Sequence, residues 1–409
     1  MQFLQLIIRM TDTQFRQTSL QFNTSIDKDD RKEQGIFFTP KNIRNRLFEV
    51  IARHTTTVTK ILEPSFGSGE FILDAAERFP HIEIVGVEKH SGMFNTFMNN
   101  VYERTNVTLR NLDFLDFPTQ KFDLIIGNPP YFVTKAKNPA CMTGRGNIFV
   151  QFIYKCLTDN LLPNGILAFI IPTSFYNCSY YQPCRDYIIK HTTILHLENL
   201  DGGFYDTSQG TMLMVLRNTP PSSENQPYSF TLHGCRYLSP NYKELTQLTT
   251  STTTLSALGF AVKTGDIVWN QEKSNLHETQ GKLVIYMSNI VNNTLVLNNF
   301  VQRGKNPNEK KQRIKSFSRA TTKGPAILVA RGYGNAQFKL SYVYIPEGHE
   351  EFYGENHVNV ITAVKPEAKN NFQRILNSFA DERTSRFLAM FVGNYALSKT
   401  ELEDVLPVF

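Results

Sequence analysis

Short apolar runs alternate with stretches of helical spacing between residues 60 and 217. Seven runs have the length of buried strands, namely Lys60–Leu62, Ile82–Val87, Val107–Leu109, Leu124–Ile126, Ile166–Ile171, Ile194–Leu197 and Met212–Leu216. Helical spacing fills the gaps, notably in Phe71–Arg78, Met93–Glu103 and Ile148–Thr158. Strands that alternate with helices indicate a parallel sheet with crossover helices. The expected fold class is therefore α/β, with a mostly parallel seven-stranded sheet.

The pattern also divides the chain into three parts. Residues 1–34 are polar and irregular, which predicts a loosely attached arm. Residues 35–220 would form the α/β domain, entered through a helix with Thr39 as N-cap and Pro40 at its first position. The alternation dissolves near the Pro- and Ser-rich stretch 219–225, so a second domain of mixed α/β structure is expected over residues 221–409.

Composition excludes several classes of protein. The chain has 409 residues and a formal net charge of +6, which is compatible with a polyanionic partner. Its five cysteines are odd in number and form no CxxC pair, which argues against a disulfide framework or a metal site and favours a reducing compartment. The apolar run 3–8 is too short to span a membrane. We expect no membrane partner and a cytoplasmic location, or an intracellular one in the host for a viral protein.

The stretch 123–132 carries the most specific chemical signal. An apolar strand ends at Gly127 and is followed by Asn128, Pro129, Pro130 and Tyr131. The prolines stiffen the backbone, so the amide is presented at the strand's carboxyl end. Its oxygen and the Pro129 carbonyl can both accept hydrogen bonds from an exocyclic amine, while the aromatic ring stacks on a flat heterocycle.

Polar residues also follow the other early strands. Glu63 begins a Gly-rich loop with glycines at 67 and 69, Glu88 ends the second strand, and Asp113-Phe114 follows the third. Glycines between a strand and a helix let backbone approach a ligand, and an acidic residue about twenty positions later can bind ribose hydroxyls. Because no third glycine or second phosphate-gripping element is present, a nucleoside-like ligand without pyrophosphate fits better than NAD.

Together these residues resemble the Rossmann-like, S-adenosylmethionine-dependent DNA methyltransferases of the gamma arrangement, which modify exocyclic amines. The order matches: Phe38-Thr39-Pro40, the Gly-rich loop, Glu88, Asp113-Phe114, then Asn128 to Tyr131. Glu63 stands where many relatives carry Asp. The resemblance implies S-adenosylmethionine as cofactor, S-adenosylhomocysteine as product and no metal. The cofactor-binding residues that it implies are Phe38, Thr39, Pro40, Glu63, Pro64, Gly67, Gly69, Phe71, Glu88, Lys89, Asp113, Phe114 and Asn128.

The same resemblance implies adenine-N6 methylation of double-stranded DNA, and it allows a cognate restriction endonuclease as a further partner. Its catalytic set is Asn128, Pro129, Pro130, Tyr131 and a second aromatic beside the base, assigned to Phe204 with Tyr205 as the fallback. Cytosine-N4 methylation stays open because the same amide suits that amine. RNA and protein-glutamine methyltransferases share the core, and a non-catalytic DNA-binding subunit is a rival from another class. Cysteine-dependent attack on cytosine through Cys184 is disfavoured, since that residue lies in a helical stretch.

The second domain contains a one-sided run of positive charge. Residues 303–323 include eight basic residues against Glu309 alone. Beside a methyltransferase core, such a run indicates a phosphate-contacting surface. Segments 264–270 and 394–399 look like the target-recognition regions of type II adenine methyltransferases. The expected DNA-binding residues are Lys310, Lys311, Arg313, Lys315, Arg319 and Arg331.

Overall fold

The fold is taken from a computed structural model of the 409-residue chain. It describes residues 14–17, 19, 20, 22, 38–55, 57–101, 104–135, 138–200, 210–223, 226–300, 310–332, 339–391 and 397–409. The chain divides into two compact units. The first unit comprises residues 1–231 and 236–243, and the second unit comprises residues 232–235 and 244–409.

The first unit is built on a seven-stranded sheet, which confirms the predicted fold class. Its strands are β1 (Lys60–Glu63), β2 (Glu83–Glu88), β3 (Val107–Asn111), β4 (Phe122–Gly127), β5 (Leu161–Pro172), β6 (Thr193–Leu200) and β7 (Thr211–Arg217). The spatial order is β3-β2-β1-β4-β5-β7-β6. The first five strands are parallel, whereas β7 runs antiparallel to both of its neighbours. The strand order reverses between β1 and β4, and open α/β sheets bind ligands at such a switch point.

Helices cover both faces of this sheet. They are α1 (Lys41–Ala52), α2 (Glu70–Arg78), α3 (Ser91–Val101), α4 (Ile148–Lys155) and α5 (Gln182–His191). One face packs against α1 and α2 through a cluster that includes Leu47, Ile72 and Leu124. The opposite face packs against α4 and α5 through a cluster that includes Phe149, Ile188 and Leu167. Burial on both faces explains why the central strands are continuous apolar runs rather than alternating ones.

The start of α1 differs from its prediction. The helix begins at Lys41, its N-cap is Pro40, and no side chain caps it. The N-cap is therefore not Thr39. The Thr39 hydroxyl instead accepts a hydrogen bond from Asn128 Nδ2 at 3.1 Å.

The expectation of a loosely attached arm is wrong for the arm residues that the structure describes. Phe15, Ser19 and Phe22 are at most 5% exposed. Arg16 forms ion pairs with Glu70 and Asp74 of α2. These contacts fix the described part of the arm beside the Gly-rich loop.

The second unit contains short strands and a few helices, preceded by a hairpin at the unit boundary. The hairpin strands are β8 (Ser229–Leu232) and β9 (Cys235–Leu238). The later strands are β10 (Phe260–Thr264), β11 (Leu276–His277), β12 (Lys282–Ile285), β13 (Ile290–Val291), β14 (Thr294–Leu295), β15 (Arg313–Ile314), β16 (Ala326–Ala330), β17 (Tyr342–Ile345), β18 (Phe352–Gly354) and β19 (Val358–Ala363). The helices are α6 (Tyr242–Leu248), α7 (Phe372–Ala380) and α8 (Glu382–Phe391). Two four-stranded sheets, β10-β19-β16-β17 and β11-β15-β12-β18, form its centre.

Candidate active site

Four adjacent strands each end in a polar side chain at the same edge of the sheet. We call this set, which consists of Glu63, Glu88, Asp113 and Asn128, the ligand edge. The four strands are neighbours in the order β3-β2-β1-β4. Because neighbouring strands lie about 4.8 Å apart, three steps span about 14 Å. The ligand edge therefore suits an elongated ligand that lies across the strand ends.

The loop after β1 brings backbone close to this edge. Gly69 has a φ of 82°, and a Cβ at this position would collide with the Phe97 ring. Gly67 has a φ of 55° and donates its N–H to Glu88 Oε2 at 2.9 Å. Glycine is thus required at 69 both for its backbone conformation and for the close packing of α3.

Backbone donors hold the Glu88 carboxylate in place. Besides Gly67, the N–H of His90 donates to Glu88 Oε1 at 2.7 Å. Each carboxylate oxygen can accept two hydrogen bonds, so one site on each oxygen remains for a pair of ligand hydroxyls. Burial raises the pKa of Glu88, and these backbone donors lower it in part.

Glu63 is the most unusual group at the edge. It is 2% exposed, and its Oε2 atom is buried without a hydrogen-bond partner among the described residues. Burial raises its pKa well above the ordinary value, with a further contribution from Glu88. The neighbouring Ser65 hydroxyl is also buried and unpartnered among them. Two such atoms on one cavity wall indicate that a ligand supplies their partners.

Asp113 is oriented by two donors. Its Oδ1 accepts from the N–H of Leu115 at 2.9 Å, and its Oδ2 lies 2.8 Å from Lys89 Nζ. Phe114 is 1% exposed, and its ring lies 4.9 Å from that of Phe152. This arrangement gives the cavity a polar end beside an apolar wall.

The Asn128 amide is held at both ends. Its Nδ2 donates to Thr39 Oγ1, and its Oδ1 lies within hydrogen-bond reach of the Tyr131 hydroxyl. That hydroxyl also lies 2.7 Å from the carbonyl oxygen of Ile170 and, having one proton, donates to one acceptor at a time. Since an amide oxygen has two lone pairs, Asn128 Oδ1 keeps capacity for a ligand amine.

The two aromatic residues after the prolines lie differently. Tyr131 is 8% exposed, and its ring packs edge-on against Phe149 with centroids 6.1 Å apart. Phe132 lines the cavity instead. Stacking of Tyr131 on a base stays a prediction, while its hydroxyl contact with Asn128 is a role that the sequence did not indicate.

A cavity of about 740 Å³ lies along the ligand edge. This volume is within the range of small-molecule sites. The structure brings twelve of the predicted residues to its wall: Phe38, Thr39, Glu63, Pro64, Gly67, Phe71, Glu88, Lys89, Asp113, Phe114, Asn128 and Pro130. Pro40, Gly69, Pro129 and Tyr131 lie next to lining residues in the chain without lining the cavity themselves.

Several residues of the site escaped the sequence analysis. Ser65, Glu70 and Phe132 line the cavity, and Arg44 lies behind it. Arg44 carried a usable signal, because it sits three positions before Leu47 and seven before Ile51, on the apolar face of α1. A charged side chain on such a face must find buried partners.

Some predicted residues lie outside the described part of the chain. These are Phe204, Tyr205 and Glu309, two of the eight basic residues of the run 303–323 (Arg303 and Lys305), and residues 394–396 of the segment 394–399. Cys184 is described and is buried in α5, where burial raises its thiol pKa well above the ordinary value. Its position agrees with the structural role expected for it.

The basic residues of the second unit are less one-sided than the sequence indicates. Within residues 310–323, which we call the basic segment, four cations form ion pairs with acids from elsewhere in the unit: Lys311 with Glu278, Arg313 with Glu350, Arg319 with Asp266 and Lys323 with Glu351. Lys310 lies 5.3 Å from the Trp269 ring centroid. Lys315 is exposed and forms no ion pair with any residue described.

The two recognition-like segments and Arg331 converge on one turn of the second unit. The turn is residues 354–357, between β18 and β19, and the sequence analysis did not single it out. Ile267 exchanges backbone hydrogen bonds with Gly354 and Asn356. The Arg331 N–H donates to the carbonyl of His357 at 2.9 Å, and its own carbonyl accepts from Leu397. These contacts gather residues from three distant segments around one turn.

The described residues contain no group of three or more His, Cys, Asp or Glu side chains that could hold a metal ion. None of their helices is both long and apolar enough to cross a membrane.

The strand order and the ligand edge define a Rossmann-like methyltransferase domain. Residues 12–204 match the family model of the Eco57I restriction-modification methylases.

The chain is similar to two viral methyltransferases, and it covers different shares of their lengths. The chain is 42% identical over 216 residues to modification methylase CviBIII of Paramecium bursaria Chlorella virus NC1A, which covers 52% of this chain and 57% of that protein. It is 28% identical over 402 residues to type II methyltransferase M.CvrRI of Paramecium bursaria Chlorella virus XZ-6E, and this alignment covers 97% of this chain and 99% of that protein. It thus spans little more than half of the first relative and nearly all of the second. A solved putative class I S-adenosylmethionine-dependent methyltransferase from Listeria monocytogenes aligns with 17% identity and a TM-score of 0.43, covering 50% of this chain and 68% of that one.

Proposed function

We propose that the protein is a site-specific DNA methyltransferase that transfers a methyl group from S-adenosylmethionine to the exocyclic N6 of adenine. The observation that carries the proposal is the Asn128 amide, held by Thr39 and Tyr131 beside a cavity lined with carboxylates. Similarity to a type II methyltransferase along nearly the whole chain supports the assignment to DNA.

The cavity fits S-adenosylmethionine on three counts. Its volume suits a nucleoside-sized ligand. Buried polar atoms of Glu63 and Ser65 lack partners among the described residues. The carboxylates of Glu63, Glu88 and Asp113 favour a ligand with cationic groups and hydroxyls, and they disfavour a pyrophosphate. Glu88 would accept the ribose hydroxyls, and Asp113 with Phe114 would bind the adenine. The cofactor would supply an activated methyl group.

The protein's own contribution to the reaction is positioning. The adenine amine is a poor nucleophile because its lone pair is delocalised into the ring. Asn128 Oδ1 and the Pro129 carbonyl oxygen would accept hydrogen bonds from its two N–H groups and favour a pyramidal nitrogen. No strong base is required, since orientation and hydrogen bonding lower the barrier.

The base must leave the duplex before it reaches Asn128. Extruding a base costs a few kcal/mol. Stacking on an aromatic ring contributes about 1–3 kcal/mol per base. Phe132 on the cavity wall is a candidate for this contact, beside the predicted Tyr131 and Phe204.

The second unit would recognise the target sequence. The turn at 354–357, with Arg331 and the segment 264–270 packed against it, is the proposed centre of base contact. The basic segment would contribute phosphate contacts, chiefly through Lys315, which is exposed and forms no ion pair with any residue described. A cognate endonuclease is the partner that the restriction-modification family suggests.

The proposal is tested by offering isotopically labelled S-adenosylmethionine with duplex DNA, RNA or a protein mixture as acceptor. The expected result is label in duplex DNA with wild-type protein and none with the Asn128→Ala variant. Label in RNA or protein alone would overturn the assignment to DNA.

A further inference from the structure

We propose that Arg44 is a positioning residue for the Asn128 amide, that it acts through Thr39, and that Glu70 and Asp74 hold it in place. The inference deepens the proposed function, and it rests on that function only where methyl transfer is the readout.

Arg44 uses all three of its nitrogen atoms inside the protein. Its side chain is 1% exposed. Nε donates to Asp74 Oδ2 at 2.7 Å, and Nη2 lies 2.8 Å from Glu70 Oε2. Nη1 donates to the backbone carbonyl of Thr39 at 2.5 Å. The guanidinium therefore fixes one peptide group relative to two carboxylates of α2.

Thr39 transmits this constraint to Asn128. Its carbonyl is held by Arg44, and its Oγ1 accepts from Asn128 Nδ2 at 3.1 Å. A shift of the Thr39 peptide would move the hydroxyl and release one end of the amide. The contact between Asn128 Oδ1 and the Tyr131 hydroxyl would not by itself fix the amide plane.

The described residues of the N-terminal arm contact the same two carboxylates, Glu70 and Asp74. Arg16 Nη1 lies 2.9 Å from Glu70 Oε2 and 2.7 Å from Asp74 Oδ1. Ser19 Oγ donates to Glu70 Oε1 at 2.6 Å. Two arginines thus balance two buried carboxylates, and every carboxylate oxygen has a donor.

Stability alone does not account for such a cluster. Burying ion pairs costs desolvation, and well-packed apolar residues often replace them without loss of stability. In some proteins, buried ionic contacts instead serve to fix one arrangement of neighbouring groups. Here the group that is fixed is the Thr39 peptide, and the side-chain hydroxyl of the same residue accepts a hydrogen bond from the proposed catalytic amide.

The first test is a double-mutant cycle with Thr39→Val, which keeps the side-chain shape, and Arg44→Lys, which cannot make all three contacts. Single-turnover methylation is measured at saturating DNA and S-adenosylmethionine. Each variant should lower the rate constant about tenfold. A loss of this size is typical when one hydrogen bond to a charged group is removed, or when a reacting group is no longer held in position. The double variant should be no slower than the slower single variant, because both changes break the same path. For Arg44→Lys, whose side chain does not line the cavity, the dissociation constant for S-adenosylmethionine should rise less than threefold.

Arg78→Met is the matched control. Arg78 also joins α2 to α1, through Asn45 Oδ1 at 2.7 Å and the Phe48 ring, but it has no contact with Thr39. It should lower the melting temperature without slowing methyl transfer. Multiplicative rate losses in the cycle would overturn the proposal, as would a loss of affinity that matches the loss in rate.

The second test does not depend on activity. In protein labelled with 15N-asparagine, the side-chain amide resonance of Asn128 is assigned by its disappearance in Asn128→Ala. It should shift in Thr39→Val and Arg44→Lys and stay in place in Arg78→Met. Should Arg44→Lys not fold, Asp74→Asn replaces it with the same expectation. An unchanged resonance in the folded variants would overturn the positioning role. Absence of DNA methylation by the wild type would contradict the proposed function and leave this readout intact.

Discussion

The ligand edge of the first unit and the basic segment of the second unit both concentrate charge, but they hold it in opposite ways. Glu63 and Glu88 are buried and line a cavity. Backbone N–H groups hold Glu88, whereas Glu63 Oε2 has no hydrogen-bond partner among the described residues. The cations Arg313 and Arg319 are each paired with an acid. A buried charged group that the fold does not pair with an opposite charge indicates a ligand site. A surface charge that is already paired with an opposite charge contributes little to binding or stability.

The largest effect is expected at the uncharged end of the ligand edge. Asn128→Ala removes the acceptor for the target amine, so methyl transfer should fall by roughly 100- to 1000-fold or more, as for the loss of one preorganised hydrogen-bond group in other enzymes. Calorimetry should show nearly unchanged binding of S-adenosylmethionine. Turnover within tenfold of wild type would remove Asn128 from the mechanism.

Glu88→Gln should have the next largest effect, on cofactor affinity. A neutral amide keeps the shape but loses charge-assisted hydrogen bonds, each of which contributes about 1.5–3 kcal/mol. The dissociation constant should therefore rise about 10- to 100-fold. Glu83→Gln, on the same strand but paired with Lys60 at its exposed end, is the control and should bind normally. Equal affinity of wild type and Glu88→Gln would contradict the ribose assignment.

The burial of Glu63 predicts a pH dependence of ligand-free stability. Because its folded-state pKa is raised above 4.5, the folded state binds more protons, and stability should fall as the pH rises from 4.5 through the folded-state pKa. The melting temperature of Glu63→Gln, relative to that of the wild type, should therefore increase as the pH rises.

Glu198→Gln should behave in the opposite sense. Burial would raise the pKa of Glu198, but hydrogen bonds from His196 and Arg46 outweigh it and lower that pKa below 4.5. Its stabilising effect is present above 4.5 and is lost as the pH falls through the folded-state value. Thermal unfolding at several pH values checks both predictions. If the melting temperatures of the two variants, relative to that of the wild type, changed with pH in the same direction, the account of Glu63 would be refuted.

The smallest effect is expected in the basic segment. Each cation that contacts a DNA phosphate contributes about one counterion to the salt dependence of binding. Lys315→Gln should reduce the logarithmic salt slope by about one, whereas Arg313→Gln should change it less, because Glu350 already matches that charge with bonds of 2.9 and 3.0 Å. Fluorescence anisotropy across a salt series makes the comparison. Equal changes would show that the Glu350 pairing has no influence.

The sequence predicts the ligand edge well for a physical reason. The residues after β1 to β4 follow parallel strands, and parallel strands place their carboxyl ends on one edge whatever their order. The apolar runs therefore predicted both the strands and the residues that meet there. The position of β7 between β5 and β6 was not predictable in this way, since strand direction leaves no trace in the apolar spacing.

The parts that the sequence did not predict depend on contacts between distant residues. Glu350 lies 37 positions from Arg313, and the charge run gave no indication of this partner. The bonds that join Arg16 to Glu70 and Thr39 to Asn128 span 54 and 89 positions. The short strands of the second unit, some only two residues long, carry too little periodicity to be recognised.

Under the proposed function, the ligand edge around Asn128 methylates adenine in DNA. This function is tested most directly by incubating the protein with mixed-sequence duplex DNA and isotopically labelled S-adenosylmethionine, digesting the DNA to nucleosides and analysing them by mass spectrometry. The account predicts label in N6-methyladenine. Label in N4-methylcytosine, or no label in DNA at all, would contradict it.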